Sequence, residues 1–262
     1  MGDFQASLVV EDEIEAVIAF YGRHAPHGLI YPRDLEWARS AYGKELFPFG
    51  AWHNGELVGA VWAACKPNFI HFVVEEDNLV LKKGEPYAES GGMLVSKDHH
   101  GAGVDQLLTA TCHAFWFIWL RGTAEIPLWA RVTGARAADG TSLFWSLVGE
   151  PTTGIPYHDL LEAPFGTLEQ VIFDSWPEDR RTIPLQELPQ HVIEEALGKP
   201  DRLLVRYERR LMRWGFEKTP HLAPTSLNGF LRATKQSITA PESFAKSGQV
   251  ALMKKDTPDA AS

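Results

Sequence analysis

Hydrophobic and polar positions divide the chain into alternating strand-like and helix-like stretches. Residues 4–10 read as a short strand, and Val10–Glu13 starts an amphipathic helix to about Tyr21, with acidic residues in the first turn where they suit the dipole. Arg23–Pro32 is broken by Gly and Pro and reads as loop. A second helix, about Asp34 to Leu46, carries Leu35, Ala38 and Tyr42 on one face. Phe49–Trp52 and Leu57–Cys65 read as strands joined by His53-Asn-Gly-Glu56, a strong short-range hairpin signal. Pro67–Pro86 holds two further strand candidates, Phe69–Val74 and Leu79–Leu81, around the acidic Glu75-Glu-Asp77, and is expected as an excursion between strands.

Met93–Val95, entered through Gly91-Gly92, is too short for a helix and suits a buried strand. A polar turn, Ser96–His100, leads into an apolar-rich segment reaching about Leu120, long enough for a helix of about five turns. Glu125–Val132 then reads as a strand, Thr133–Thr141 as loop, and Ser142–Gly149 as a short helix with Gly149 at its C-cap. Pro151–Phe165 is loop-rich, Leu168–Phe173 is expected as a strand, and Pro177–Pro184 as a charged turn. Helices are expected at Leu188–Leu197, stopped by Gly198 and Pro200, and at Leu203–Trp214, capped by Gly215, with a return strand from Phe216. The order predicts an α+β fold, a mixed, mostly antiparallel sheet flanked by helices. Residues 1–235 are expected as one domain, with 133–200 an embellishment inserted before the last helix–strand unit, and 236–262 as a flexible tail.

Composition narrows the class. Of 262 residues, 45% are hydrophobic and 23% charged, which is ordinary for a globular chain with ample core. A net charge of −9 argues against a nucleic-acid surface, which needs a basic stripe. Cys65 and Cys112 stand in apolar surroundings at no metal or redox spacing, so they read as reduced core thiols of a cytoplasmic protein. The apolar run within Ala110–Leu120 falls short of the ~20 residues a membrane span needs. No His-x-x-His or His-Glu-x-x-His pair suggests a metal, and no Gly-x-Ser-x-Gly elbow suggests a serine nucleophile.

One stretch carries chemistry. In Glu89–Leu108 a strand runs through a glycine turn into a helix. The first N–H groups of a helix lack partners within it, the macrodipole is positive there, and glycines let backbone approach an anion. His100-Gly-Ala-Gly103 is therefore a candidate phosphate cradle.

His100-Gly-Ala-Gly-Val-Asp105 resembles the pyrophosphate loop of the GNAT (general N-acetyltransferase) superfamily, R-G-x-G-x-G/A, with His100 in place of Arg and Asp105 in place of a small residue. Leu211-Met-Arg-Trp-Gly-Phe216 resembles that superfamily's Y-E-K-x-G-F helix end, with Leu211 where the thiolate's tyrosine proton donor usually stands. Leu211, Ser142-Leu-Phe-Trp145 and His191-Val-Ile193 ahead of Pro200 are together similar to the narrower arginine N-succinyltransferase family, although Lys199 occupies its proposed proton-donor histidine position.

The resemblance implies an acyl-CoA-dependent N-acyltransferase using acetyl-CoA or succinyl-CoA and a small amine acceptor such as arginine or ornithine, with no metal. It implies coenzyme binding by Met93, Leu94 and Val95 of the central strand and by His100, Gly101, Ala102, Gly103 and Val104 of the turn. Glu89 is expected as the proton acceptor from the amine and His191 as the proton donor to the thiolate. Arg206, Arg209, Arg210 and Arg213 are expected as a solvated helix face with one side chain in reach of the coenzyme phosphates. Trp116 and Trp119 are expected in the core or on a homo-oligomer face. No nucleic-acid or membrane partner is implied. A GNAT-like module that binds acyl-CoA without catalysis is the alternative.

Overall fold

A computed structural model describes residues 4–26, 29–122 and 126–239. Glu125, where one strand was expected to begin, and residues 240–262 of the expected tail lie outside them. One ten-stranded sheet organises the rest. In chain order its strands are β1 (Phe4–Leu8), β2 (Leu46–His53), β3 (Glu56–Lys66), β4 (Phe69–Glu75), β5 (Asn78–Gly84), β6 (Tyr87–Val95), β7 (Leu128–Arg131), β8 (Thr182–Pro184), β9 (Glu217–Leu222) and β10 (Gly229–Ala233). Their spatial order is β1-β2-β3-β6-β7-β10-β9-β4-β5-β8. Among the described residues every pairing is antiparallel except β6 with β7.

The β2–β3 turn follows its sequence signal: Asn54 and Gly55 take φ of 53° and 81°, the left-handed values that a two-residue hairpin loop requires. Helices cover both faces of the sheet. On one side α3 (Val104–Gly122) buries Val104, Leu108, Cys112 and Trp116 against β2, β3 and β6, and α8 (Val205–Arg213) adds Leu211 to the same core. On the other side α1 (Ile14–His24) and α2 (Leu35–Ala41) pack Val17, Phe20, Tyr21 and Ala38 around Trp62 of β3. A third core lies over β4, β5 and β8. It is filled from the helical turn before α4 (Glu150–Thr153), from α5 (Tyr157–Leu161), α6 (Leu168–Ser175) and α7 (Gln190–Glu195), with Phe144, Trp145, Ile172 and Trp176 all fully buried. Burial of such side chains, at roughly 25 cal/mol per Å² of apolar surface, is the main force holding the layers together.

Several expectations require correction. Leu168–Phe173 is the start of α6 and not a strand. Its apolar residues Leu168, Val171 and Ile172 recur at helical spacing, which puts Leu168 and Ile172 together in the third core. The helix around Trp145 does not end at Gly149, which has φ of −63°; it widens into a π turn and runs on to Thr153, with Gly154 (φ 71°) at the left-handed cap. The helix expected to reach Leu46 stops at Ala41, because β2 claims Leu46 onward. The Pro67–Pro86 segment is no excursion: β4 and β5 are interior strands of the sheet, joined to its C-terminal part through β9. Strands β8 and β10 were not foreseen. Within the expected tail Ile238 is buried, and the Thr239 N–H donates to the Trp214 carbonyl at 3.1 Å. Among the described residues no helix is long and apolar enough to cross a membrane.

Candidate active site

The site begins at an irregularity in β6. Ala60 pairs with Leu94 and Trp62 with Gly91, so Gly92 and Met93 together oppose Val61 alone. The extra residue makes a β-bulge, and Gly92 takes it up with φ of 61°. Glycine is required there: a Cβ would lie 2.1 Å from Trp62 Nε1 and 2.9 Å from the Ile30 carbonyl. The bulge is pinned by Tyr21, whose hydroxyl donates to the Gly92 carbonyl at 2.7 Å, and by Trp62, whose indole N–H donates to the Ile30 carbonyl at 3.2 Å.

Beyond the bulge the sheet opens. β6 and β7 are paired only from Ala88–Ser90 to Leu128–Ala130. A cleft of about 610 Å³ follows, lined on the β6 side by Ser90 to Met93 and Val95, on the β7 side by Arg131 to Thr133, and at its far end by His99, His100, Gly101 and Gly103. The unpaired edge of β6 is a row of backbone donors and acceptors, a template for an extended ligand.

At the glycine turn Gly101 and Gly103 have φ of 79° and 86°, and Gly103 caps α3, its carbonyl accepting from Leu107 N–H at 3.0 Å. The histidines fix the turn: His100 Nε2 lies 3.0 Å from the Val95 carbonyl and His99 Nδ1 lies 2.8 Å from Ser96 Oγ. Positive charge comes from across the cleft. Arg206 and Arg210 of α8 line it, and Arg210 reaches Asp105 in the first turn of α3 at 3.8 Å. A helix N-terminus facing two guanidinium groups, one of them shared with Asp105, has the geometry and charge to receive an anion.

A smaller cavity of about 70 Å³ adjoins the cleft, sharing Gly91, Gly92, Arg131 and Thr133 with it. Glu89 lies in its wall, 1% exposed. One of its oxygens sits 3.2 Å from Lys66 Nζ and the other 3.2 Å from Arg131 Nε, and Lys66 also pairs with the buried Glu169 of α6 at 2.5 Å. Burial alone would raise the Glu89 carboxyl, but Arg131 and Lys66 outweigh it and hold the group below its ordinary range. It is a buried, fixed anion and not a strand-end carboxylate in solvent.

Of the residues singled out from sequence, Glu89 and Met93, Val95, His100, Gly101 and Gly103 meet along these two cavities. Leu94 points away into the core around Trp62, and Val104 is buried on the sheet-facing side of α3, which leaves each its backbone. Ala102 is exposed on the turn. His191 is exposed on α7 and lines neither cavity. Leu211 is buried in the α3–α8 core. One helical turn before it, on the same face, Tyr207 lines the cleft. Its hydroxyl is held neutral, pushed up by burial and by the nearby Cys112. Its ring falls at helical spacing with Leu204 and Leu211, where it fits an apolar helix face; the signal for another role was its place four residues before Leu211. Among the described residues no group of three or more His, Cys, Asp and Glu side chains is placed to hold a metal ion.

A bulged central strand, one parallel pair that parts beside it, and a glycine turn capping the following helix accord with the GNAT fold. Arginine/ornithine succinyltransferase subunit AI from Pseudomonas aeruginosa matches over 90% of this chain and 78% of its own, with a TM-score of 0.64 and 17% identity. An aminoglycoside acetyltransferase from an uncultured soil metagenomic sample matches over 52% of this chain and 83% of its own, with 15% identity and a TM-score of 0.36. The ribosomal-protein-alanine N-acetyltransferase from Brucella melitensis matches over 43% and 71%, with 18% identity and a TM-score of 0.30. The fold assignment rests on the first of these. No protein-family model matches the sequence, and no curated protein does.

Proposed function

We propose that residues 1–235 form an acyl-CoA-dependent N-acyltransferase domain, moving an acetyl- or succinyl-type group to the amine of a small acceptor, with arginine and ornithine the first candidates. The observation that carries this reading is the continuity of the cleft. It joins the glycine turn at Gly101–Gly103, through the open edge of β6, to a small charged cavity at the bulge. The pyrophosphate would sit at the α3 N-terminus opposite Arg206 and Arg210, and the pantetheine arm would pair with Met93 and Val95. The thioester would then lie at Gly91–Gly92, with the acceptor in the small cavity.

The acceptor's neutral amine attacks the thioester carbonyl; collapse of the tetrahedral intermediate breaks the C–S bond and releases thiolate. Tyr207, a neutral phenol on the cleft wall, is the best-placed donor of the proton that thiolate takes up. Glu89, held ionised by two cations, is a weak base and serves here to fix Arg131 and the cavity wall, while the amine's proton leaves through water.

The test is a thiol-release screen of small amines with acetyl-CoA and succinyl-CoA, alongside calorimetric binding of both donors. Binding should weaken about tenfold when Arg206 and Arg210 are both replaced by Ala, a loss set by two charge-assisted contacts near solvent. Failure of both donors to bind at millimolar concentration refutes the proposal. Binding without thiol release from any amine would identify a coenzyme-binding module in its place.

A further inference from the structure

The small cavity beside Gly91–Gly92 has an unbalanced charge. Three ionised side chains form its wall: Glu89, Arg131 and Arg136. Behind it Lys66 bridges Glu89 and Glu169, so Lys66, Arg131, Glu89 and Glu169 neutralise one another within a buried cluster. Arg136 remains. It has no ion pair among the described residues and stands exposed at the cavity's mouth, in the loop that follows β7. Two hydroxyls accompany it. Tyr157 lies within electrostatic reach of both guanidinium groups, and neither its hydroxyl nor that of Thr225 has a hydrogen-bond partner among the described residues. A volume of about 70 Å³ is several times the ~10–15 Å³ that one water requires, room for a carboxylate and the carbons that carry it.

A surplus guanidinium flanked by two free hydroxyl donors, in a cavity whose one carboxylate among the described residues is already paired with two cations, selects an anion with several acceptor atoms. We infer that this cavity is a carboxylate subsite in which Arg136, Tyr157 and Thr225 hold a carboxylate of a substrate. The inference rests on the acyl-transfer reading and deepens it by naming a substrate feature. The carboxylate comes either from the α-carbon of an amino-acid acceptor or from the far end of a dicarboxylic acyl group. In both cases it anchors the substrate so that the amine or the thioester lies at the bulge. Amines with no carboxylate, such as polyamines, are then poor acceptors when the acceptor supplies the group.

The test uses the full chain and two matched pairs: L-arginine against agmatine, which lacks only the carboxylate, and succinyl-CoA against butyryl-CoA, which ends in a methyl group. Calorimetry on the wild type, Arg136→Gln and Arg136→Lys reads binding without requiring turnover. In one pair the carboxylate-bearing member should bind the wild type about 10- to 100-fold more tightly, the range of a charge-assisted contact. Arg136→Gln should erase that preference and Arg136→Lys keep part of it, because Lys retains charge without the bidentate fork. The pair that responds identifies the source. Equal binding within both pairs, no binding at all, or a preference that survives Arg136→Gln overturns the subsite. The underlying reading fails separately: an Arg136-dependent preference without thiol release from any donor and amine leaves the subsite standing and removes acyl transfer. Thiol release without carboxylate preference does the reverse.

Discussion

Replacing Glu89 with Gln removes the shared anion of the buried cluster while changing its size little. In the wild type the Glu89 side chain is 1% exposed, Lys66 3% and Arg131 10%, so little solvent reaches the cations to replace the lost partner. Lys66 keeps its contact with Glu169, whereas Arg131 loses its one carboxylate partner among the described residues. Breaking a buried pair from one side typically costs about 3–5 kcal/mol. The Gln amide retains one acceptor oxygen, which favours the lower end, about 3 kcal/mol. Urea unfolding of both proteins at pH 7 measures the difference directly, and thermal melts should show a drop of roughly 6–12 °C. The pH dependence adds a sign. Since the folded-state carboxyl is held below its ordinary value, its stabilisation is complete above the unfolded carboxylate range near ~4.3 and is lost as pH falls through the folded value. The gap between wild type and Glu89→Gln should therefore stay constant from pH 7 to about 5 and close at more acid pH. A loss below about 1 kcal/mol, the scale of a solvated surface pair, would refute the argument. So would a gap that stays unchanged in acid.

Three further outcomes are expected. Gly92→Ala forces a left-handed residue and displaces Trp62, so urea unfolding should show a loss above the ~1–2 kcal/mol of the backbone alone; a neutral substitution would mean that the bulge is slack. Tyr207→Phe should slow thiol release about 100-fold or more, as expected for loss of a general acid, with coenzyme affinity unchanged; an unchanged rate would move the proton donor elsewhere. Burial pushes the His113 ring down to about 4, despite its contact with the Thr239 carbonyl. Since this histidine is neutral when folded and titrates near ~6.5 when unfolded, stability should fall between about pH 6.5 and 4, and an NMR titration of its ring showing protonation near 6.5 would contradict its burial.

The parts of this structure visible in the sequence are those governed by local rules. Asn54-Gly55 dictates a hairpin by its own backbone preference, and the strand–glycine–helix order of Glu89–Leu108 contains its geometry within twenty residues or so. The misread parts are those where a short apolar run fits two periods, as in Leu168–Phe173, or where a strand exists because a distant partner receives it, as in β8 and β10. The site was legible by half for the same reason. Glycine positions belong to the turn itself. The state of Glu89 depends on Lys66, Arg131 and Glu169, which come from three other elements, and no spacing in the chain announces their meeting. Tyr207 was hidden differently: at helical spacing among Leu204 and Leu211, an aromatic ring reads as core, and only the opening between β6 and β7 makes it a cleft wall.

The place of β4 and β5 has a consequence for how the chain reaches its folded state. This hairpin is made between β3 and β6 in sequence, yet it docks on the far side of the sheet, against β9, with Phe72 beside Leu222. The loop that contact closes spans more than half of the chain, so its entropy must be overcome late, after local hairpins have formed. Until β9 and β10 emerge during synthesis, the hairpin and the outer edge of β7 both lack their final neighbours. The N-terminal half therefore carries two unfinished sheet edges, and the last strands commit the two halves of the sheet to one another.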